Sequence, residues 1–294
     1  MPELPDVEVY REALAARVIG QPLRAVQLRN PFVLRTAVPP LPAVVGKTVR
    51  DVSRIGKRIV LAFNGEFFLV LHLMIAGRLQ WLTEGRKPPG RITLALFEFP
   101  TGTLAFTEAG TKRRASLHLV QGRAALAAFD PGGLDVLSAS EEIFRERLLH
   151  ENHTLKRALT DPRLFSGIGN AYSDEILHRA RLSPLTLTQK LDNAKVARLF
   201  TATRDVLNEW TARLRVEAAG EFPQRVTAFR PQMAVHGRFG QPCPVCGAPV
   251  QRIVYAENES NYCARCQTDG VILADRALSR LLHKSFPRAL ADDS

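Results

Sequence analysis

The chain has 294 residues, of which 46% are hydrophobic, 23% charged and 7% aromatic, which excludes a disordered or collagen-like protein. Its longest uncharged apolar stretch, 67–77, is far shorter than the roughly 20 residues that cross a bilayer, and residues 1–6 do not resemble a signal peptide, so we expect a cytoplasmic protein. Forty Lys and Arg against 29 Asp and Glu give a net charge of +11, which predicts a polyanionic partner; the alternative is a solvated basic surface.

The first 130 residues predict one helix followed by many short strands. The helix covers 3–19, and Gly, Pro and Asn separate the strands that follow. Asn64-Gly65 predicts a two-residue hairpin turn. Short antiparallel strands in this number predict a two-layer sandwich or a barrel. The predicted strands are 24–28, 58–63, 67–73, 78–82, 92–99 and 103–107.

Beyond Pro131-Gly132-Gly133 the apolar periodicity becomes helical. The longest predicted helix carries an apolar stripe that includes Trp210, which we assign to the hydrophobic core. The predicted helices are 141–150, 152–160, 171–179 and 189–215. The predicted domains are a strand-rich domain over 1–130 and a helical domain over 131–225. A linker at 226–240 connects them to a third domain, 241–294, which comprises the segment with the four cysteines and the C-terminal tail.

The four cysteines of the chain form the pattern C-x2-C-x16-C-x2-C. Two sharp turns that each offer two thiolates are typical of a tetrahedral structural zinc site. The alternative is a pair of disulfides, which a reducing compartment disfavours. We therefore predict one structural Zn²⁺ per chain, bound by Cys243, Cys246, Cys263 and Cys266.

Two further segments contain groups that can react or bind. If Met1 is removed, the chain begins with the secondary amine of Pro2, which can attack an aldehydic or acetal carbon, with Glu3 beside it to transfer a proton. The alternative is that the Met-Pro start reflects only the ordinary processing of Met1 and that Pro2 has no catalytic role. The turn Gly167-Ile168-Gly169-Asn170 precedes a helix and can bind a phosphate, or it can be a plain turn between helices.

Taken together, these motifs show a resemblance to a known family. The start Pro-Glu-Leu-Pro-Asp-Val-Glu, Ile55-Gly56-Lys57-Arg58, Gly-Ile-Gly-Asn-Ala-Tyr and the four-cysteine hairpin occur in this order. The chain resembles the formamidopyrimidine-DNA glycosylase and endonuclease VIII family over almost its whole length. The resemblance implies an α+β multidomain fold: an N-terminal β-sandwich with an N-terminal helix, a helix–two-turn–helix domain and a C-terminal zinc-finger β-hairpin.

The resemblance also implies a base-excision repair DNA glycosylase with abasic-site (AP) lyase activity. Pro2 would be the nucleophile on sugar C1′, Glu3 the acid that assists ring opening, and Lys57 a contact to a phosphate or the lesion. Asn170 would hold a phosphate beside the flipped nucleotide. The partner would be double-stranded damaged DNA, bound by a bacterial, nucleoid-associated monomer that needs no membrane and no small-molecule cofactor.

Two segments depart from the family pattern. Most members have an arginine five residues before the third cysteine, where this chain has Asn258 between Glu257 and Glu259; the nearest basic candidate is Arg252. The loop 107–116 lacks the phenylalanine found in glycosylases that act on 8-oxoguanine. Its Arg113 and Arg114 remain candidate DNA contacts, and Met74 or Ile75 can supply an apolar wedge, unless Met74 is a core residue.

Two alternatives to the enzyme follow from these departures. A damaged-DNA binding protein of the same fold, without catalysis or limited to abasic sites, would explain Asn258 and the altered loop. A zinc-ribbon RNA-binding factor would explain the charge and the cysteines. The RNA-binding alternative does not explain the N-terminus, and the intact pair Pro2 and Glu3, together with Lys57 and Asn170, favours the enzyme over the binding protein.

Overall fold

The computed structural model describes residues 1–110, 112–224, 226, 230–255 and 258–273, with Tyr255 and Asn258 described by their backbone alone. The chain forms two compact units. The first unit comprises Met1–Pro131 and Glu209–Thr227, and the second comprises Gly132–Asn208 and Ala228–Ser294.

Helix α1 (Leu4–Val18) opens the first unit and agrees with the predicted helix within one residue at each end. Glu3 is its N-cap residue, and the Glu3 backbone N–H donates to the Asp6 carboxylate at 3.0 Å in a reciprocal capping box. Pro5, in the first turn, needs no intrahelical N–H partner there. The cap therefore fixes the backbone immediately after Pro2.

The first unit contains eight strands and the short helix α2 (Arg123–Ala127). The strands are β1 (Ala25–Leu28), β2 (Val49–Ile55), β3 (Arg58–Phe63), β4 (Phe67–His72), β5 (Gly77–Leu82), β6 (Thr93–Phe99), β7 (Gly102–Glu108) and β8 (Ser116–Gln121). They form two antiparallel four-stranded sheets, in the orders β2-β3-β4-β8 and β1-β6-β7-β5. Buried side chains from both sheets and from α1 form one hydrophobic core, which confirms the predicted sandwich.

Three details of this unit differ from the sequence prediction. Strands β2 and β8 were not predicted. The hairpin between β3 and β4 has a three-residue loop, 64–66, and not a two-residue turn, because Phe63 pairs with Phe67. Gly65 and Glu66 both adopt positive φ, 79° and 55°, which closes the longer loop.

The second unit contains the predicted helices, shifted by a few residues at their ends. They are α3 (Glu141–Leu149), α4 (Leu155–Thr160), α5 (Asn170–Arg179) and α6 (Asn193–Ala218). Ser140 caps α3 by accepting a hydrogen bond from the Ile143 N–H at 3.4 Å. Helix α6 begins after a 3₁₀ turn at Thr188–Lys190, which overlaps the start of the predicted helix 189–215 by two residues.

The C-terminal part of α6 belongs to the first unit, although the sequence assigned residues 209–225 to the helical domain. The Arg215 guanidinium forms two hydrogen bonds with the Glu12 carboxylate of α1, at 2.9 and 2.6 Å. Farther along the chain, the Phe222 ring lies 5.6 Å from the Tyr10 ring. These contacts hold the segment on the sandwich, and Val226 of the predicted linker is also buried in that core.

The zinc-finger segment forms an antiparallel hairpin of β9 (Val250–Tyr255) and β10 (Asn258–Cys263), followed by the short helix α7 (Ala264–Thr268). Tyr262 is fully buried beside Ile253 and Ala264 in a small apolar cluster of its own. Residues 274–294 of the predicted C-terminal tail lie outside the described residues. Within the described part of the chain, no helix combines the length and hydropathy needed to cross a membrane.

Candidate functional site

The start of the chain lies in a buried environment at the N-terminus of α1. Pro2 and Glu3 are buried, and Met1 is half-buried. Burial lowers the pKa of the Met1 amine, and the positive charges of Arg78 and Lys57 lower it further, while Glu3 and Asp6 oppose them. This environment favours a neutral amine, which is the form that acts as a nucleophile.

Lys57 occupies the turn between β2 and β3, where Gly56 has a φ of +58°. His72, at the end of β4, lies opposite Arg58 in the sheet register. Burial lowers the pKa of His72 to about 4, and the charges of Arg58, Lys57 and His118 contribute. A neutral histidine beside two cationic side chains leaves this edge of the sheet positively charged.

Met74 is the first residue of the turn between β4 and β5, and its φ of 52° lies in the left-handed region. Ile75 beside it is 57% exposed, whereas Met74 is half-buried. The Gly77 N–H donates to the Leu73 carbonyl at 2.8 Å and closes the turn. Of the two predicted wedge residues, Ile75 is therefore the more accessible one here.

The loop that carries Arg113 and Arg114 follows the neighbouring strand end. Gly77 pairs with Glu108 in the sheet register, so this loop and the Met74 turn begin side by side. The buried Glu108 carboxylate accepts the backbone N–H groups of Arg114 at 2.9 Å and Ala115 at 3.1 Å. Arg113 donates from its guanidinium to the Arg91 carbonyl at 3.0 Å. Glu108 was not among the predicted site residues, and its only local signal in the sequence is its position at a strand end.

Asn170 is the first residue of α5, and its side chain makes no capping hydrogen bond to that helix. Gly169 is the N-cap residue. The Asn170 Nδ2 donates to the backbone carbonyl of Glu259 in β10 at 2.8 Å, because β10 packs against this end of α5. The amide is thus oriented by the zinc-finger segment within the second unit.

The four cysteine Sγ atoms lie within 4.8 Å of one another. The Sγ–Sγ distances are 3.4 Å for Cys246 and Cys263 and 4.0 Å for Cys243 and Cys266, whereas a disulfide requires about 2.05 Å. Tetrahedral Zn–S bonds of about 2.3 Å separate the sulfurs by nearly 4 Å, so the group fits zinc and contradicts the disulfide alternative. His178 of α5 contacts this site, with Nε2 3.3 Å from Cys243 Sγ, and burial lowers its pKa to about 4.

Family comparisons match three consecutive parts of the chain. The formamidopyrimidine-DNA glycosylase N-terminal domain matches residues 1–115, the H2TH domain of that glycosylase matches 133–216, and the zinc finger found in FPG and IleRS matches 240–268. A formamidopyrimidine-DNA glycosylase of Heliobacterium modesticaldum is 33% identical over 282 residues, covering 91% of this chain and 100% of that relative. The chain belongs to the formamidopyrimidine-DNA glycosylase family.

Other members and their solved structures agree with this assignment. A formamidopyrimidine-DNA glycosylase of Thermus thermophilus is 35% identical over 289 residues, covering 92% of this chain and 100% of that relative. The structure of a complex between Lactococcus lactis FPG and DNA containing FAPY-dG has a TM-score of 0.80 at 25% identity, covering 90% of this chain and 100% of the other.

The matches confirm the predicted family and the predicted fold of an N-terminal β-sandwich, a helix–two-turn–helix domain and a zinc-finger hairpin. It makes the chain a base-excision repair DNA glycosylase with DNA as its partner. The matched zinc finger, together with the clustered thiolates, confirms one structural Zn²⁺. The family function disfavours the zinc-ribbon RNA-binding alternative.

Arg252, the nearest basic residue to the position of the family arginine, contacts two other residues of the second unit. Its guanidinium carbon lies 4.3 Å from the centroid of the Phe239 ring, and its Nη1 is 3.5 Å from Glu259 Oε2. A phosphate bound here has to compete with the Glu259 carboxylate. The side chain of Asn258 and residue Glu257 lie outside the described part of the chain.

The structure distributes the predicted residues over both units. Pro2, Glu3, Lys57, the Met74 turn and the loop with Arg113 and Arg114 belong to the first unit. The second unit contains the remaining predicted residues, which are Asn170, Arg252, Cys243, Cys246, Cys263 and Cys266.

Proposed function

We propose that the glycosylase is also an AP lyase that uses Pro2 as its nucleophile. After Met1 is removed, the Pro2 nitrogen attacks sugar C1′, the damaged base leaves, and opening of the sugar ring gives an iminium. The iminium withdraws electrons and acidifies the C2′ proton. Loss of that proton expels the 3′ phosphate and nicks the strand, and water then releases the enzyme.

The observation that carries this proposal is the environment of the N-terminus. The Met1 amine is buried and its pKa is lowered. Pro2 is buried beside it, and removal of Met1 would give the secondary amine of Pro2 the same surroundings, which favour its neutral form. The α1 cap fixes the backbone that joins Pro2 to Glu3. We assign to Glu3 the proton transfer to the ring oxygen that accompanies opening.

We assign the remaining predicted residues to DNA contacts. Lys57, at a positively charged sheet edge, is suited to a backbone phosphate. The second N–H of the Asn170 amide is proposed to donate to a phosphate beside the flipped nucleotide. Arg113 and Arg114 are exposed and suited to backbone contacts, with Met74 and Ile75 near the gap in the duplex. Arg252 is a weaker candidate because of Glu259.

We propose that the metal takes no part in the reaction, because four thiolates close the zinc coordination and leave no open position for substrate or water. We further propose that the protein acts as a monomer without a small-molecule cofactor, on the chromosomal DNA of the bacterial cytoplasm.

Borohydride trapping tests the nucleophile, since reduction of an iminium joins the protein covalently to DNA. The unchanged protein should be trapped on duplexes with a preformed abasic site and on duplexes with an oxidised base. Pro2→Gly should lose most of the lyase activity and bind DNA within a few-fold of the unchanged protein. A protein that retains Met1 should also fail to trap, because its Pro2 nitrogen is acylated.

Undiminished trapping by the Met1-retaining protein would eliminate Pro2 as the nucleophile. Tight binding to abasic duplexes without trapping by the unchanged, Met1-processed protein would favour the second candidate, a damaged-DNA binding protein of the same fold. The altered loop 107–116 is the observation that favours this candidate.

A further inference from the structure

Helix α5 carries a buried carboxylate that the proposed chemistry does not use. The side chain of Asp174 is fully buried, one turn after Asn170. Its Oδ1 accepts hydrogen bonds from Lys156 Nζ at 2.5 Å and from Ser260 Oγ at 2.8 Å. Its Oδ2 lies 2.8 Å from His236 Nδ1. A buried charge needs such partners, and these come from α4, from β10 and from the segment before the zinc-finger hairpin.

The same group of residues holds Asn170 from two directions. Lys156 Nζ also donates to the backbone carbonyl of Asn170 at 2.7 Å. On the other side, the Asn170 Nδ2 donates to the carbonyl of Glu259, the residue that precedes Ser260. Because an amide is planar, one N–H bonded to a fixed carbonyl sets the direction of the second N–H. The Asp174–Ser260 bond therefore holds the carbonyl that orients the Asn170 amide.

The carboxylate of Glu175, the residue after Asp174, holds the segment with His236 without any contribution from Ser260. Glu175 accepts the backbone N–H groups of Ala234 at 2.7 Å, Val235 at 2.9 Å and His236 at 3.0 Å. Burial raises the pKa of Glu175, and these three N–H groups oppose the rise. Loss of the Ser260 hydroxyl therefore leaves the segment with His236 attached to α5.

We propose that Asp174 and Ser260 are positioning residues, which act through the Glu259 carbonyl to aim the Asn170 amide at a backbone phosphate of the bound DNA. The proposal rests on the phosphate contact proposed above for Asn170. It adds that two buried residues, Asp174 and Ser260, determine the orientation of the Asn170 amide. Strand β10 and helix α5 are thus joined by two hydrogen bonds within the second unit, one from Asn170 to Glu259 and one from Ser260 to Asp174.

A double-mutant cycle between Ser260→Ala and Asn170→Ala tests the proposal. The measurement is the Kd for a duplex with a tetrahydrofuran abasic analogue, which cannot form an iminium. Asn170→Ala should weaken binding about tenfold, the effect of losing one hydrogen bond to a charged group. Ser260→Ala should weaken it about threefold, and Ser260→Thr, which keeps the hydroxyl, should bind within about twofold of the unchanged protein.

If Ser260 acts through Asn170, Ser260→Ala should cause no further loss in the Asn170→Ala background. Thr268→Ala is the matched control. It removes a hydroxyl that donates to Ala264 and Val271 in the same zinc-finger segment, and its effect, if any, should add to that of Asn170→Ala. Zinc content and thermal unfolding of each variant verify that the segment remains folded.

The outcomes distinguish the phosphate contact of Asn170 from the positioning role of Asp174 and Ser260. If Asn170→Ala binds as tightly as the unchanged protein, the phosphate contact is wrong and the positioning role is overturned with it. If Asn170→Ala weakens binding but Ser260→Ala has no effect, or an equal effect in both backgrounds, only the positioning role is wrong. Failure of Ser260→Thr to restore binding while it retains zinc would also count against it.

Discussion

The Arg78 guanidinium donates a hydrogen bond to the backbone carbonyl of Ile75, with Nη1 3.1 Å from the oxygen. The same Nη1 lies 2.6 Å from the Gly77 carbonyl. One side chain thus holds two carbonyls of the turn that presents the candidate wedge, and its charge also lowers the pKa of the N-terminal amine. The shape of this turn and the pKa of the Met1 amine therefore both depend on Arg78.

Gly77→Ala should disrupt this turn. A Cβ at Gly77 would lie 2.2 Å from the Leu73 carbonyl oxygen, which is backbone and cannot rotate away. We expect the free energy of unfolding to fall by about 1–3 kcal/mol and base excision to fall more than cleavage of preformed abasic sites. Gly85→Ala, with a φ of +80° and open space, is the control: it should lose stability only through backbone strain and keep the ratio of the two activities. Equal loss of both activities in Gly77→Ala would contradict the role of the turn.

Removal of zinc should weaken DNA binding by loosening the second unit. Chelation releases the hairpin that the four thiolates hold, and with it the strand that contacts Asn170. We expect binding and excision to fall together in a fluorescence-anisotropy and nicking assay, and to return when Zn²⁺ is restored. A different divalent ion that changed the pH optimum of the refolded enzyme would contradict a purely structural metal.

Asn258→Arg should add a phosphate contact, because most members of the family have an arginine at this position. A charge-assisted bond to a phosphate contributes roughly 1.5–3 kcal/mol, and one more phosphate contact changes the slope of log affinity against log salt by about 0.9. We expect base excision to rise more than abasic-site cleavage. In the unchanged protein we expect abasic sites to be cleaved best, oxidised pyrimidines next, and 8-oxoguanine opposite cytosine poorly. Faster excision of 8-oxoguanine than cleavage of abasic sites, with no response to Asn258→Arg, would refute this.

His72 should make the folded protein less stable as the pH falls below about 6.5. Its pKa is about 4 in the folded state, against 6.5 when exposed, so the unfolded chain binds the proton first. The loss should grow as the pH falls from 6.5 to 4, approach about 3 kcal/mol, and level off below pH 4. His72→Gln should flatten this part of the urea-unfolding profile, whereas replacing the exposed His150 by Gln should leave it unchanged. Identical profiles for His72→Gln and the unchanged protein would show that His72 is not the cause.

Short-range patterns determined much of the fold and the zinc site. Strand β3 was predicted at its observed bounds because Gly56 and Asn64 limit it on both sides. The cysteine spacing fixed the metal-binding group, since two close pairs of thiolates need only one hairpin to meet. Pro2 and Glu3 could be singled out together because they are adjacent in the sequence, and their catalytic roles stay a prediction.

Only the tertiary structure decided which polar residues are buried and what they hold. Nothing local distinguishes Asp174 from a solvated acid, because its partners include Ser260, which lies 86 residues away. The orientation of Asn170 likewise depends on a carbonyl 89 residues farther along the chain. Hydrogen bonds of this kind form when separate segments pack and exclude water, so a buried carboxylate acquires its role from the fold and not from its neighbours in sequence.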